Sequence, residues 1–307
     1  MAGSSPLLAL VGPTASGKTE TAVSLAERLG AEIVSVDSML VYRGMDVGTA
    51  KPSPDERARI CHHLIDVAEP SEPFSVARYQ ALAREAIEQI RSRGRRVLLA
   101  GGTVLYLRSI VDDLAFPATD PALRRTLEAE VERVGALAMY ERLASSDPVA
   151  AEKIEPRNVR RTVRALEVAE LTGRPFSSFA SAWERYDPAR VRAAGIAIPR
   201  DVLAKRIEAR VIDQLDAGLI DEVRALLDRG FGGWLTSSQA IGYAEFALHV
   251  SGRMTLEDAI AATVKRTKTL ARRQLAFLGR DPRIRWFEAG AEGATAVVDD
   301  IAEYLDG

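Results

Sequence analysis

The chain has 307 residues, 47% of them apolar and 27% charged, with a formal net charge of −2. That composition gives a globular chain with ample core, as one large domain or two smaller ones, and exerts no global pull on nucleic acid, so any such binding must rest on local patches. The single cysteine, Cys61, excludes an internal disulfide and a cysteine-built metal site, no run approaches the ~18 apolar residues of a bilayer span, and the N-terminus lacks the basic region of a secretory signal; a cytoplasmic protein is expected.

In chain order, Leu7 to Val11 is an apolar run that predicts a buried strand. Glu20 to Leu29 carries Ala22, Val23, Leu25, Ala26 and Leu29 at helical spacing. Between them, Gly12-Pro13-Thr14-Ala15-Ser16-Gly17-Lys18-Thr19 matches G-x-x-x-x-G-K-[ST] in full, in the strand–loop–helix context that gives the motif its meaning. Glycines let the backbone wrap an anion, while N–H groups and the positive helix end face it. Lys18 adds a mobile charge and Thr19 a hydroxyl for Mg²⁺. The loop predicts binding of a di- or triphosphate and does not by itself decide which.

Ala31 to Asp37 reads as a second strand ending in an acid, Val76 to Arg93 as a helix stopped at Gly94, and Val97 to Ala100 as a third strand entering the turn Gly101-Gly102-Thr103. Strands alternating with helices predict a parallel sheet covered on both faces. From 115 to 195 the punctuation by Pro117, Pro121, Pro148 and Pro156 and the helical stretches Ala122 to Val134, Ala136 to Ala144 and Val159 to Leu171 predict an all-helical insertion. A strand at Gly195 to Pro199 then returns to the sheet, Asp201 caps a long helix, and Leu219 to Leu227 and a run through Phe277 are helical. The expected fold is α/β: a P-loop parallel-sheet body, 1–114 and 196–307, with a helical C-terminal part and a helical insertion domain, 115–195.

Asp37 falls where a parallel strand delivers a residue beside the phosphate loop. A carboxylate there can order Mg²⁺-bound water, accept a proton from an incoming nucleophile, or simply serve a turn or helix cap. Ser38 is a cap or a substrate contact. The strand ending at Ala100 carries no acid, unlike the magnesium-linked aspartate of many P-loop hydrolases. Its absence favours a small transferase, in which the loop holds a donor and Asp37 handles the acceptor.

Read together, the segments GPTASGKT (Gly12 to Thr19), VDSMLVYRGMDVGTAKP (Val36 to Pro52), HHLID (His62 to Asp66), Gly101-Gly102-Thr103 with Leu105-Tyr106, Arg164 to Val168, Gln239 to Tyr243 and Thr267 to Leu278 closely resemble the bacterial tRNA dimethylallyltransferases, in order and over essentially the whole chain. The resemblance implies transfer of a dimethylallyl group from dimethylallyl diphosphate to N6 of adenosine 37, in tRNAs reading codons that begin with U. It implies that Gly12 to Thr19 hold the diphosphate, with Thr19 on Mg²⁺ and Lys18 neutralising the leaving group, and that Asp37 accepts the N6 proton. Arg206 is placed on the pyrophosphate, with Arg210 one turn further along the same face; a solvated surface is the bland reading of both. The acceptor's path runs past Asp37, Ser38, Met39 and Leu40, with Thr103 at the glycine turn, and further tRNA contacts fall at Arg124 and Gly242. Leu40 stands where many members carry glutamine, and Ala244 where Lys or Arg is common.

Two basic clusters offer a nucleic-acid surface. Arg157, Arg160, Arg161 and Arg164 are predicted to share one helical face, and Lys265, Arg266, Lys268, Arg272 and Arg273 form a second group; neither has an acid within it. In the family the insertion resembles an arm gripping the anticodon stem. Tyr106, Trp183, Tyr243 and Phe277 are candidate stacking groups, although aromatic residues are more often core. His62 and His63 carry no assigned role, and a histidine metal cluster is not expected. The expected partners are tRNA, through its anticodon stem-loop, and dimethylallyl diphosphate, with Mg²⁺ as cofactor, no membrane, and a monomeric state. The alternatives are a free-nucleotide isopentenyltransferase acting on AMP or ADP, a small-molecule kinase, and a noncatalytic RNA-binding protein.

Overall fold

The computed structural model describes residues 6–112, 114–179, 185–290 and 293–307. The chain divides into two compact units: Met1–Val111 with Asp187–Gly307, and Asp112–Tyr186.

The first unit is built on a parallel sheet. Its strands are β1 (Leu7–Val11), β2 (Ala31–Val36), β3 (His62–His63), β4 (Arg96–Gly101), β5 (Val191–Ala197) and β6 (Ile284–Glu288), in the order β3-β2-β4-β1-β5-β6. Helices α1 (Lys18–Leu29), α2 (Pro54–Arg59), α3 (Val76–Ser92) and α4 (Val104–Val111) come before the second unit, which contributes α5 (Pro121–Val134), α6 (Ala136–Ser146), α7 (Pro148–Lys153) and α8 (Val159–Thr172). The first unit resumes with β5 and then α9 (Arg200–Asp216), α10 (Leu219–Asp228), α11 (Tyr243–Val250), α12 (Leu256–Leu278) and α13 (Val298–Asp306).

The central strands are mostly apolar, as both of their faces are buried. Ala9, Val11, Val34, Val36, Val97 and Leu99 join the core that includes Tyr79, Tyr243 and Phe246. The alternate residues Leu8, Leu10, Ala31, Ile33 and Leu98 join the core that includes Ala22, Val23 and Leu25 of α1. This parity matters for the site: on β2 and just past its end, Ser35 and Asp37 fall on the α1 side, the side of the phosphate loop.

The second unit has its own core of Leu127, Met139, Leu143, Ala150, Ile154, Val163 and Leu166. Asp147 organises it locally, accepting the Ala150 N–H at 3.1 Å and the Ser177 N–H at 2.7 Å.

Three expectations shift. Strand β5 begins at Val191, not Gly195, and the second unit ends at Tyr186; the charged Arg192 hides the strand's start, since its guanidinium reaches back to the Tyr304 and Leu305 carbonyls. Asp201 is not a cap: Pro199 precedes α9 and Asp201 sits in its first turn, where a carboxylate still favours the helix dipole. Arg157 lies before α8, which starts after Asn158 accepts the Arg161 N–H at 3.2 Å. Where the first unit resumes, Arg190 reaches the Val111 carbonyl at 3.5 Å, so the chain leaves and re-enters the first unit at one place.

Candidate functional site

A cavity of about 370 Å³ opens at the carboxyl ends of the strands, lined by Thr14 to Thr19, Asp37, Leu40, Gly101, Gly102, Arg210 and Gln274 among others. The phosphate loop forms a concave nest because Ala15 (φ 62°) and Gly17 (φ 86°) are both left-handed. Gly12 lies behind it, buried, where a Cβ would come within 3.1 Å of Ser16 Oγ and 3.2 Å of the Ile196 carbonyl. The same cavity has apolar walls from Ala22, Ile33, Leu40, Ile65 and Ala100. Ser35 also lines it, 3% exposed, and its hydroxyl has no hydrogen-bond partner among the described residues.

Lys18 folds over the nest, its ammonium donating to the Pro13 carbonyl and to Ser16 Oγ (3.3 Å). Burial pushes its pKa down to about 7, with Asp37 opposing and Arg210 adding to the shift. Burial likewise holds Arg210 below its ordinary range, partly offset by Asp37. The site therefore concentrates cationic groups that an anion would relieve.

Asp37 serves both a turn and the cavity. Its Oδ1 accepts the Met39 N–H at 2.8 Å, an Asx turn that fixes the carboxylate, and no described residue donates to Oδ2. Ser38 donates its N–H to Thr103 Oγ1 at 3.2 Å, and the Thr103 N–H donates to the Val36 carbonyl at 3.1 Å. Ser38, Met39 and Thr103 thus brace the carboxylate, while Leu40 lines the cavity itself. Gly101 must be glycine because a Cβ would collide with the Val36 carbonyl.

The two arginines of α9 separate. Arg210 lines the cavity and donates to the Thr49 carbonyl at 3.3 Å; Arg206 is not among the lining residues and sits by Gly293, whose Cβ would come within 3.3 Å of its guanidinium. One helical turn therefore separates an arginine that lines the cavity from one that does not.

Sequence reasoning missed the frame around residues 46–52. Glu222 accepts the N–H groups of Asp46 (2.9 Å), Val47 (3.0 Å) and Gly48 (3.3 Å), as well as the Tyr243 hydroxyl. Gln214 donates to the Val47 and Gly48 carbonyls at 2.9 and 2.8 Å. Lys51, its side chain only 4% exposed, joins Asp46 (2.6 Å), Asp66 (2.5 Å) and the Tyr42 carbonyl (2.6 Å). These contacts hold Thr49 to Pro52 as one wall of the cavity. The Asp-Val-Gly-Thr-Ala-Lys-Pro segment was the available signal.

The basic clusters divide by partner. Arg164 is spent on Glu167 (2.8 Å) and the Pro117 and Ala118 carbonyls (2.7 and 3.1 Å), and Arg124 on the same buried Glu167 (2.6 Å). Arg157, Arg160 and Arg161 are exposed, with no ion-pair partner among the described residues. In the second group, Arg266 pairs with Glu245 and Lys268 with Glu208 (2.7 Å), so a run without acids in sequence meets acids in space. Lys265, Arg272 and Arg273 remain exposed. Gly242 is buried: its N–H donates to Glu245 at 2.8 Å and its carbonyl accepts from Phe246, which gives it a structural role at the start of α11. Tyr106 and Tyr243 are core residues, Phe277 is 54% exposed, and Trp183 lies outside the described residues.

The donor set fits Mg²⁺. Thr19 is exposed at the cavity, makes no side-chain hydrogen bond among the described residues, and offers the kind of hard oxygen that Mg²⁺ takes alongside phosphate and water. Elsewhere, Glu32, Cys61 and His63 converge on β2 and β3, but Arg93 already holds both Glu32 oxygens (3.2 and 2.6 Å).

A left-handed nest leading into α1, on a parallel sheet, with a braced carboxylate and a half-buried arginine in the same cavity, defines a P-loop α/β protein. Residues 40–281 match the family model described as IPP transferase. The chain is 47% identical over 290 residues to a tRNA dimethylallyltransferase of Streptomyces coelicolor, spanning 94% of this chain and 92% of that one. It is 48% identical over 290 residues to that of Kineococcus radiotolerans (92% and 91%). Among solved structures it resembles the tRNA isopentenylpyrophosphate transferase of Bacillus halodurans (TM-score 0.73, 40% identity, 99% and 96% of the two chains). It also resembles a eukaryotic dimethylallyltransferase acting on tRNA (TM-score 0.79, 25% identity, 96% and 78%). The chain belongs to the IPP transferase family.

Proposed function

We propose that this protein transfers a dimethylallyl group from dimethylallyl diphosphate to N6 of adenosine 37 in tRNAs reading codons that begin with U. The observation that carries the reading is one cavity with two chemistries: a cationic nest at the phosphate loop and apolar walls from Ile33, Leu40, Ile65 and Ala100. A short isoprenoid diphosphate has the same two halves.

In this reading the loop N–H groups, Lys18 and Arg210 hold the diphosphate. N6 of the adenine attacks the allylic C1, the C1–O bond breaks, and its electron pair leaves on pyrophosphate. Asp37, held by its Asx turn, takes the N6 proton through its free oxygen. An exocyclic amine is a weak nucleophile, and removing its proton as the bond forms lowers the barrier. Lys18 gains its proton readily once a polyanion lies beside it, so charge building on the leaving group meets a full cation. Thr19 would hold Mg²⁺, which adds positive charge against the departing pyrophosphate. The adenine must leave the loop stack to reach the cavity. The helical unit, expected at 115–195 and compact over 112–186, supplies Arg157, Arg160 and Arg161 as phosphate contacts.

The test offers radiolabelled dimethylallyl diphosphate with tRNA, an anticodon stem-loop and AMP in separate reactions. Label on tRNA and stem-loop is expected. Label on AMP alone rejects the tRNA reading, and, in a parallel set supplied with ATP, consumption of ATP with no label on any acceptor replaces it with a kinase.

A further inference from the structure

Gln274 stands inside α12, immediately after Arg272 and Arg273, yet turns to the cavity. Both ends of its amide are used. Oε1 accepts the Thr14 N–H of the phosphate loop at 2.8 Å, and Nε2 donates to the Gly102 carbonyl of the glycine turn at 3.1 Å. A Cβ on Gly102 would come within 2.5 Å of Nε2 and 2.9 Å of the Gly12 carbonyl, so glycine at this position lets the two loops and the side chain meet.

From Gly102 the connection continues without a gap. Thr103 follows in the chain, its Oγ1 accepts the Ser38 N–H at 3.2 Å, and Ser38 is joined to Asp37. One side chain therefore links the loop that holds the anion to the strand end that carries the carboxylate. The phosphate loop follows β1 and Asp37 follows β2, and β4 separates the two strands in the sheet. The glycine turn at the end of β4 is the natural bridge, and Gln274 closes it.

We propose that Gln274 is a positioning residue that fixes the separation between the phosphate loop and Asp37, and with it the alignment of the leaving group against the attacking amine. The proposal rests on the transferase reading above. Glutamine suits the task because its amide supplies one acceptor and one donor at a fixed spacing. Displacements of about 1 Å in such an alignment cost on the order of a hundredfold in rate.

The test compares Gln274→Met, which keeps the bulk and loses both hydrogen bonds, with Gln274→Asn, which keeps the amide but is too short to span both loops. The readouts are kcat, the KM for tRNA, the melting temperature, and inorganic pyrophosphate binding by calorimetry. Both variants are expected to lose kcat by about tenfold to a hundredfold, with the KM for tRNA within about twofold of wild type and melting little changed. Wild-type kcat in the Met variant overturns the proposal. So does rescue by Asn, which would mean that a polar group suffices without the span, and so does a loss of kcat that only follows a fall in melting temperature. A wild-type protein that binds pyrophosphate but prenylates no RNA sinks the transferase reading instead, which keeps the two failures apart.

Discussion

Asp37 stands close enough to Arg210 for its carboxylate to offset part of the burial that holds the guanidinium below its ordinary pKa. The pair lines one cavity with Lys18, so the two residues share an electrostatic environment while facing different parts of the proposed reaction. Arg210→Gln is expected to weaken inorganic pyrophosphate binding by about tenfold or more, the loss of a charge-assisted contact. Asp37→Asn keeps most of that affinity and lowers kcat by about 10²–10⁴. Arg206→Gln serves as the comparison and stays within about threefold of wild type in pyrophosphate affinity. Calorimetry and steady-state kinetics separate the three, and equal losses at Arg206 and Arg210 would return both to the site.

Lys18 gives a pH signature. Its folded-state pKa of about 7 lies below the ordinary 10.5, so between those values the unfolded chain carries a proton that the folded chain lacks. Stability from this group therefore rises with pH across that window and is lowest below pH 7. Lys18→Met is expected to raise the melting temperature at pH 6 and to lose that advantage progressively up to about pH 10, while abolishing pyrophosphate binding. In the wild type, pyrophosphate binding at pH 8 takes up a proton, seen as a calorimetric enthalpy that depends on the buffer's ionisation heat. Buffer-independent heats would contradict the shift.

Arg160 and Arg161 are exposed on α8 without acidic partners among the described residues. The double variant Arg160→Glu with Arg161→Glu should raise the KM for tRNA by about tenfold or more and flatten its salt dependence by roughly two counterions. Use of the isoprenoid donor stays unchanged. An unaltered KM at low and moderate salt removes these arginines from the RNA surface.

Lys51 tests the frame of the cavity wall. Its nearly buried ammonium joins Asp46, Asp66 and the Tyr42 carbonyl. Burial acts upward on the Asp66 carboxyl, but Lys51 and Arg57 outweigh it and hold the pKa below the usual range. Lys51→Met is expected to cost about 2 kcal/mol in denaturant unfolding near pH 7, toward the low end for a broken ion pair because Asp46 and Asp66 keep solvent contact. Stability that depends on an ionised Asp66 is lost as pH falls through its lowered pKa, so the difference between variant and wild type shrinks in acid. A constant difference down to pH 3 would point to packing instead.

The phosphate loop, the acid after β2 and the glycine turn after β4 were legible because each is a short motif delivered by an apolar strand. The parallel sheet followed from continuous apolarity. Strand β6 and helix α13 lie beyond Phe277, where no pattern was assigned, and the start of β5 was hidden by Arg192. The rest of the site was less visible because it depends on contacts between distant segments. Gln274 is 260 residues from its partner Thr14, and Glu222 grips backbone groups 174 to 176 positions away. Arg206 and Arg210 look alike on a helical face until the fold fixes which turn lines the cavity. The basic runs looked unpaired because Glu208, Glu245 and Glu167 reach them through tertiary packing or from a neighbouring turn.

The contact between Arg190 and the Val111 carbonyl gives the helical unit a single doorway in the chain. An element that departs and returns through one point, and that folds around its own core, can be lengthened, trimmed or exchanged in evolution without re-threading the sheet. Length and surface can then drift on one side of that doorway while the sheet and its cavity are inherited unchanged on the other.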